Sequence, residues 1–564
     1  MARARRRIGE VIGAVPDWAP HERPMIPGSP STPDMPPTRR LAYGLTGLLL
    51  GTTGGMGTAI VSTNLSALQG AFGLDVREGA WLAGVYAMFN ISMNLLLIKY
   101  RQQFGLTSFA KLFLAIYAAA SVAHLFIDTY AAALVVRAIS GIAGAAMGGL
   151  AVMYMSQALP PTQTFKFPAL LLGLGCSQVA GPICWIISPD LLALGGWRSI
   201  YVLQAGLAVA CLAAAQLLRP PPGIRVQAFE WRDAISFVLL APSLGLLVAV
   251  ASLGRIDWWL EAPWIGWALA TCVILFVGAM LFEHHREHPL IDTRWVFSLG
   301  FLNFGLSIML VRVLLTEQPF GAAGLLQVVG MGLEQTRTLY TVVLIATIAG
   351  LLVGAFSLAL SKKLVPVQLL LALVLISVAA FMDSAATGDT HPAELYLSQG
   401  LMGFASALFL GSAFALGLGQ LLARGLQSVI TFAMMFGITQ ALGGAAGGAA
   451  LATFQAMRVQ HHAAYLAEGV VASDPATSLV LQSYGGAYAS SIADPALGPA
   501  QGVSTLAQQV IQQANILAFN DVFYLIGWGA LALLAFNIAM LVNMAIKSRS
   551  TAATNEGAMG TVAI

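Results

Sequence analysis

The chain has 564 residues, of which 58% are apolar and 9% charged, and its mean hydropathy is +0.78. A soluble globular chain carries about 25% charged residues, so the 28 basic and 25 acidic residues here cannot cover a water-facing surface. A soluble enzyme and a disordered protein are excluded, and a net charge of +3 implies no nucleic-acid partner.

Arg3, Arg5, Arg6 and Arg7 are followed by no sustained apolar run, so the start of the chain does not read as a signal peptide. Residues 10–38 then carry Pro16, Pro20, Pro24, Pro27, Pro30, Pro33, Pro36 and Pro37, a composition expected to form a disordered tail over 1–40. Apolar windows long enough to cross a bilayer core of ~30 Å follow at 41–69, 80–99, 107–127, 130–157, 166–188 and 198–218. Two more lie at 233–254 and 263–282, and six at 298–320, 338–360, 364–383, 394–421, 427–455 and 518–546. The expected class is an all-α polytopic membrane protein with fourteen spans. Its division is a tail (1–40), a six-helix bundle (41–218), two extra helices with their joints (219–297), a second six-helix bundle (298–546) and a tail (547–564).

An even span number places both termini on one side. With that side cytoplasmic, about three-quarters of the 28 Lys and Arg residues fall inside. The long connection 456–517 then lies outside, with Ala507–Gln513 reading as helix. Cys176, Cys184, Cys211 and Cys272 all sit in apolar stretches without CxxC spacing, so neither a disulfide framework nor a metal site is expected. His461-His462 has no further ligands nearby.

Only three charges read as embedded in spans: Arg137, Arg312 and Glu317. Charge within a membrane is costly, which makes each a candidate functional group. Arg312 is ~21 Å along its span, and Glu317 is roughly 140° further round the helix, so pairing the two requires a distorted turn near Pro319. Arg137 reads either as a coupling or gating charge or as a structural arginine on backbone carbonyls. Arg312 reads as an anion-recognition group, with a structural pair as the alternative, and Glu317, near the outer end of its span, as the proton carrier, with a solvated acid of the outer vestibule as the alternative. Asn64, Asn90, Asn94 and Gln178 are candidate substrate contacts, with interhelical hydrogen bonding as the alternative. Gly141, Ala145 and Gly149 recur on one face of span four, and Gly175 with Gly181-Pro182 allows close packing and a bend in span five. Gly443 and Gly444 are packing and gating candidates in span thirteen.

Taken in order, Arg137 with Gly141, Gly181-Pro182, Gly196-Trp197-Arg198, Glu283-His284-His285-Arg286-Glu287-His288-Pro289, Leu326-Gln327, Gln440-Ala441-Leu442-Gly443-Gly444 and Phe519-Asn520-Asp521-Val522-Phe523 resemble the major facilitator superfamily. The likeness is to its fourteen-helix drug:proton antiporters of the EmrB/QacA type, nearest the EmrB branch, and it covers about residues 41–546. It implies two six-helix bundles rocking about a central site, with no cofactor. It further implies efflux of small lipophilic substrates driven by protons, across a bacterial inner membrane. A periplasmic adaptor of the membrane-fusion type and an outer-membrane channel are the implied partners. Arg137 corresponds to the family's fourth-helix arginine. The chain departs from the family at Met56–Ile60, where a helix-one aspartate is common, at Gln102–Thr107, which replaces an Asp-Arg-x-Gly-Arg joint, and at Gln440, where an arginine is common.

Because the first half lacks an embedded acid while two arginines are embedded, an anionic or weakly acidic substrate is expected. A proton-independent metabolite exchanger is the alternative. A membrane-embedded enzyme or sensor is disfavoured, since no paired metal ligands, Ser-His arrangement or GxxxxGK[ST] loop is present.

Overall fold

In a membrane every backbone N–H and C=O must find its partner within the protein, and helices achieve this within one segment. The computed structural model describes residues 8–560 apart from 21, 25, 161, 362, 426–427, 472 and 488–496. Arg3, Arg5, Arg6, Arg7 and Lys362, counted above for orientation, lie outside the described residues. Fourteen helices have the length and hydropathy to cross a membrane. In the first half these are α1 (Pro37–Thr63), α2 (Val76–Phe104), α3 (Leu106–Phe126), α4 (Tyr130–Met155), α5 (Phe165–Gly195) and α6 (Trp197–Leu217). The added pair is α7 (Trp231–Leu253) and α8 (Pro263–His284). The second half comprises α9 (Leu299–Val328), α10 (Leu333–Leu360), α11 (Leu364–Asp383), α12 (Pro392–Arg424), α13 (Val429–Glu468) and α14 (Leu497–Asn543).

Local chemistry sets the boundaries. An Asp75–Glu78 capping box starts α2. Gly105, at φ 83°, reverses the chain between α2 and α3 within one residue, a backbone conformation that favours glycine. Within α5 the helix is interrupted between Gly175 and Ala180. Pro182 cannot donate to the Gln178 carbonyl and its ring crowds it, which accounts for a break one turn upstream. In α9, residues Glu317–Ala322 form a π-helical turn around Pro319.

The packing repeats itself. In the first half α4 lies against α1, α2 and α3, while α6 lies against α1 and α3. In the second, α12 lies against α10 and α11, and α14 against α11, α13 and α9. The halves meet through α5 on α10 and through α13 on α2, which is the same pairing with the halves exchanged. The core is therefore divided between the halves and crosses between them chiefly at these two helix pairs, with α5 also meeting α12 through Phe167 and Phe414. α7 and α8 stand outside, with α7 running along α2 and also touching α13.

Three features differ from expectation. The proline-rich segment is not free: Gly28 donates to the Ile224 carbonyl at 2.9 Å and Ser31 to Pro222 at 3.1 Å, Val11 bridges Val226, and Ser29 and Ser31 are buried. Proline supplies few donors, so this segment is held by the donors between its prolines. The long connection between the last two spans is helical over much of its length. α13 has 40 residues, ~60 Å at 1.5 Å per residue, about twice the membrane core. Its second half therefore projects on the side away from Pro37, where Pro475–Ala487 lies along the start of α14, with Tyr484 Oη donating to Gln509 Oε1 at 2.6 Å. Finally, α9 continues to Val328, so Glu317 lies well inside a 30-residue span rather than at its outer end.

Candidate functional site

Arg137 projects from α4 and is fully buried. Nε donates to the Leu82 carbonyl at 3.2 Å and Nη1 to the Gly57 carbonyl at 2.8 Å, while the guanidinium lies 4.6 Å from the centre of the Tyr86 ring. No carboxylate pairs with it among the described residues. These contacts tie α4 to α1 and α2 through backbone, the arrangement of the structural alternative, and they separate Arg137 from Glu317 in the other half. Nη2 and the Tyr86 hydroxyl are buried without hydrogen-bond partners among the described residues.

The polar neutral residues do not form one pocket. Asn64 is buried and donates to the Ile60 carbonyl and to Ser188 Oγ, both at 2.8 Å, clasping α1 to α5. Asn90 reaches the Gly141 carbonyl at 3.3 Å, and Asn94 bonds back to Asn90 at 3.0 Å within α2. Gln178 is half-buried in the break of α5.

The small residues separate into two groups. A methyl group added to Gly141 would stand 2.5 Å from the Tyr86 carbonyl oxygen, and one on Gly443 would stand 2.8 Å from Arg312 Cβ. Both positions therefore set how closely helices approach. Gly149 and Gly181 face open space. The expected close face of α4 is thus carried by Gly141 and not by Gly149; in α5 the bend belongs to Pro182 and the close approach to Gly175, where an added methyl would meet Leu351 of α10, while Gly181 sets neither.

The second half brings the chemistry together on α9. Arg312 lies over Gly443 and Gly444 of α13, with Nε 3.8 Å from where a Gly444 Cβ would be, and it is half-buried. It makes no hydrogen bond or ion pair among the described residues. Gln440, one turn below Gly444 on the same face, has a buried Nε2 without a partner among those residues. Two donors on facing helices thus stand with no protein acceptor among the described residues, and a half-buried guanidinium within a span and without a counter-charge favours an anion. Glu317 does not pair with Arg312, although a π turn begins at Glu317; its carboxyl meets α12 instead.

There Glu317 is not the sole embedded acid, as the sequence suggested. Gln399 Nε2 of α12 donates to Glu317 Oε1 at 2.9 Å and to Asp383 Oδ2 at the end of α11 at 2.7 Å. All three residues are at most 4% exposed. Gln318 Nε2 donates in turn to the Gln399 carbonyl at 3.2 Å and to Gln399 Oε1 at 3.3 Å, which fixes the amide with its NH2 toward the acids. Asp383 was missed because it ends an apolar window and is followed by Ser384-Ala385-Ala386-Thr387-Gly388-Asp389, which reads as a loop.

Other buried charges gather where α2, α7 and α8 meet. Lys99 Nζ lies 2.8 Å from both oxygens of Asp233, and Arg286 reaches Asp233 at 2.8 Å, Glu283 at 2.7 Å and Glu230 at 3.1 Å. Burial opposes the charge on Arg286, but its hydrogen bonds to Asp233 and Glu283, and their charges, hold it above the usual arginine value. Among the described residues, no group of three or more His, Cys, Asp or Glu side chains is placed to hold a metal ion.

Paired six-helix halves, exchanged at their interface and flanked by two extra helices, define an all-α polytopic membrane protein of the major facilitator fold. Solved structures similar to the chain in fold include the human organic anion transporter MFSD10 (TM-score 0.52, 15% identity, 88% of this chain and 100% of that one). The peptide transporter POT in complex with sulfate (TM-score 0.54, 12% identity, 89% and 94%) is another. By sequence, the chain is 28% identical over 181 residues to a probable actinorhodin transporter of Streptomyces coelicolor, a stretch that is 32% of this chain and 29% of that relative's length. No family model matches the chain.

Proposed function

We propose that the protein is a secondary active exporter of lipophilic weak acids, working by alternating access and coupled to inward proton movement through Glu317. The carrying observation is the pairing, on one helix, of an arginine without a protein counter-charge and an acid buried mid-span without a cation. An organic anion would sit against Arg312 and Gln440, with the lipophilic remainder against the apolar faces of α9 and α13. Likeness to a probable actinorhodin transporter over 32% of the chain supports a small organic compound as cargo. The chain would lie in the bacterial cytoplasmic membrane with both termini inside, so that the helical projection after α13 faces the periplasm, where an adaptor leading to an outer-membrane channel would dock. Nothing in this reading calls for a bound cofactor or for enzymatic chemistry.

A proton-independent exchanger of the same fold is the second reading, favoured by the first half: α1 carries no acidic residue at all. Purified protein in liposomes separates the two. With an imposed proton gradient, wild type should move a radiolabelled naphthalene sulfonate and not a lipophilic cation, with proton flux in step. Arg312→Gln should lose anion flux at least tenfold, and Glu317→Gln should lose gradient-driven flux while anion exchange continues. Anion flux without proton flux would establish the exchanger. Unchanged gradient-driven transport in Glu317→Gln would refute the coupling assignment.

A further inference from the structure

Glu317 and Asp383 lie more than sixty residues apart in the chain, on different helices, yet one amide nitrogen binds both. Gln399 Nε2 has two hydrogens, and the structure directs one to Glu317 Oε1 and one to Asp383 Oδ2. The amide cannot be turned round without cost, because its own oxygen accepts from Gln318 Nε2 at 3.3 Å. Glu317 Oε2 is then left buried with no hydrogen-bond partner among the described residues. Neither carboxyl forms an ion pair with a Lys, Arg or His side chain among those residues. Two ionised carboxylates around one neutral amide, in a site at most 4% exposed, form an expensive arrangement.

We infer that Asp383 is the second carboxyl of the proton site: Glu317 and Asp383 bind one proton as a unit, at Glu317 Oε2, with Gln399 as the positioning residue that holds the pair together. This rests on the reading of Glu317 as proton carrier and extends it to a residue on another helix. The proton arrives on Glu317 Oε2 as an O–H bond, the pair then carrying one negative charge, and leaves to water when that bond breaks, returning the pair to two. The amide keeps one hydrogen bond to each acid throughout. Because α9, α11 and α12 each supply one member, a change in the pair's charge is felt by three helices at once.

The test reads the proton directly and needs no substrate. Detergent-solubilised full-length protein is titrated and the C=O stretch of buried protonated carboxyl is followed by infrared difference spectroscopy. Wild type should show one such band. Glu317→Gln should lose it. Asp383→Asn should displace the titration midpoint of the remaining band by about one pH unit or more, as expected of strongly interacting sites, and Gln399→Leu should change its frequency. Asp383→Glu, which keeps the carboxyl, should restore a titrating band if Asp383→Asn proves unstable. An Asp383→Asn protein whose Glu317 band keeps its wild-type position and midpoint, or an Asp383→Glu protein that shows no titrating band, would overturn the pairing. Normal coupling of the bands in a protein that moves no organic anion would retain the pair and remove the export reading instead.

Discussion

At the scale of single residues, burial separates charges that the sequence treats alike. Lys99, Asp233, Glu283 and Arg286 lie at the edges of apolar windows, where charges are ordinary, and only the docking of α7 and α8 on α2 buries them. Asp233 is the centre of that group, lying between Lys99 and Arg286. Asp233→Asn leaves two buried cations facing each other, and removing one partner of a buried pair costs about 3–5 kcal/mol. The expected result is a marked fall in thermal unfolding temperature in detergent, with a smaller fall for Lys99→Met, which leaves Asp233 still paired with Arg286. Equal stability of the two variants would mean that Asp233 is not central. The embedded charges were legible because a lone arginine or glutamate within an apolar run stands out. Asp383 and Gln399 were not, since their meeting depends on the register of α11 against α12, which no local pattern records.

The helices themselves were mostly readable from length and hydropathy, including the count of fourteen. Their irregularities were readable only where proline marks them, as at Pro182 and Pro319. Glycine spacing was a weaker guide. Gly141 and Gly149 share a helix face, yet only Gly141 meets a neighbour: an added methyl there would meet Tyr86 of α2, whereas Gly149 is exposed and faces open space. Gly141→Val should therefore force α2 and α4 apart, giving little folded protein in size-exclusion chromatography. Gly149→Val should elute and melt as wild type. A normal Gly141→Val protein would show that the close approach is not required. The proline-rich segment escaped prediction for a related reason: its order comes from the carbonyls of residues 222–224 and from Gln102, not from any core of its own.

For the whole molecule, the contacts of the added pair indicate which half it accompanies. α7 is joined to α2 along its length, by Lys99 with Asp233, by Ser92 Oγ donating to the Ala241 carbonyl at 2.9 Å, and at the far end by Arg77 with Asp257 at 3.1 Å. Its polar tie to α13 is at one end, where Trp259 Nε1 donates to Thr453 Oγ1 at 2.8 Å. A first half of eight helices would thus rock against a second half of six. Cysteines at Gly84 and Ser252, whose Cβ positions lie 3.3 Å apart, should form a cross-link that leaves transport intact. A cysteine pair at Asp190 and Arg337, whose long side chains bridge α5 and α10, should stop transport when joined by a bifunctional thiol reagent long enough to span them, and transport should return on reduction. Inhibition by the first cross-link would show that α7 moves relative to α2.

The same charge cluster bears on how the chain is made. Lys99 finds Asp233 134 residues later, and at ~5–20 residues per second of synthesis its partner is absent for on the order of ten seconds. During that interval α2 must keep its lysine at the membrane surface, and the six helices already present lack the counter-charges that complete them. The natural unit of assembly is then the first eight spans. Expressed as two separate polypeptides, the protein should reassemble when divided within 287–292 and fail when divided within 219–224, although the latter cut is the one that respects the six-helix repeat.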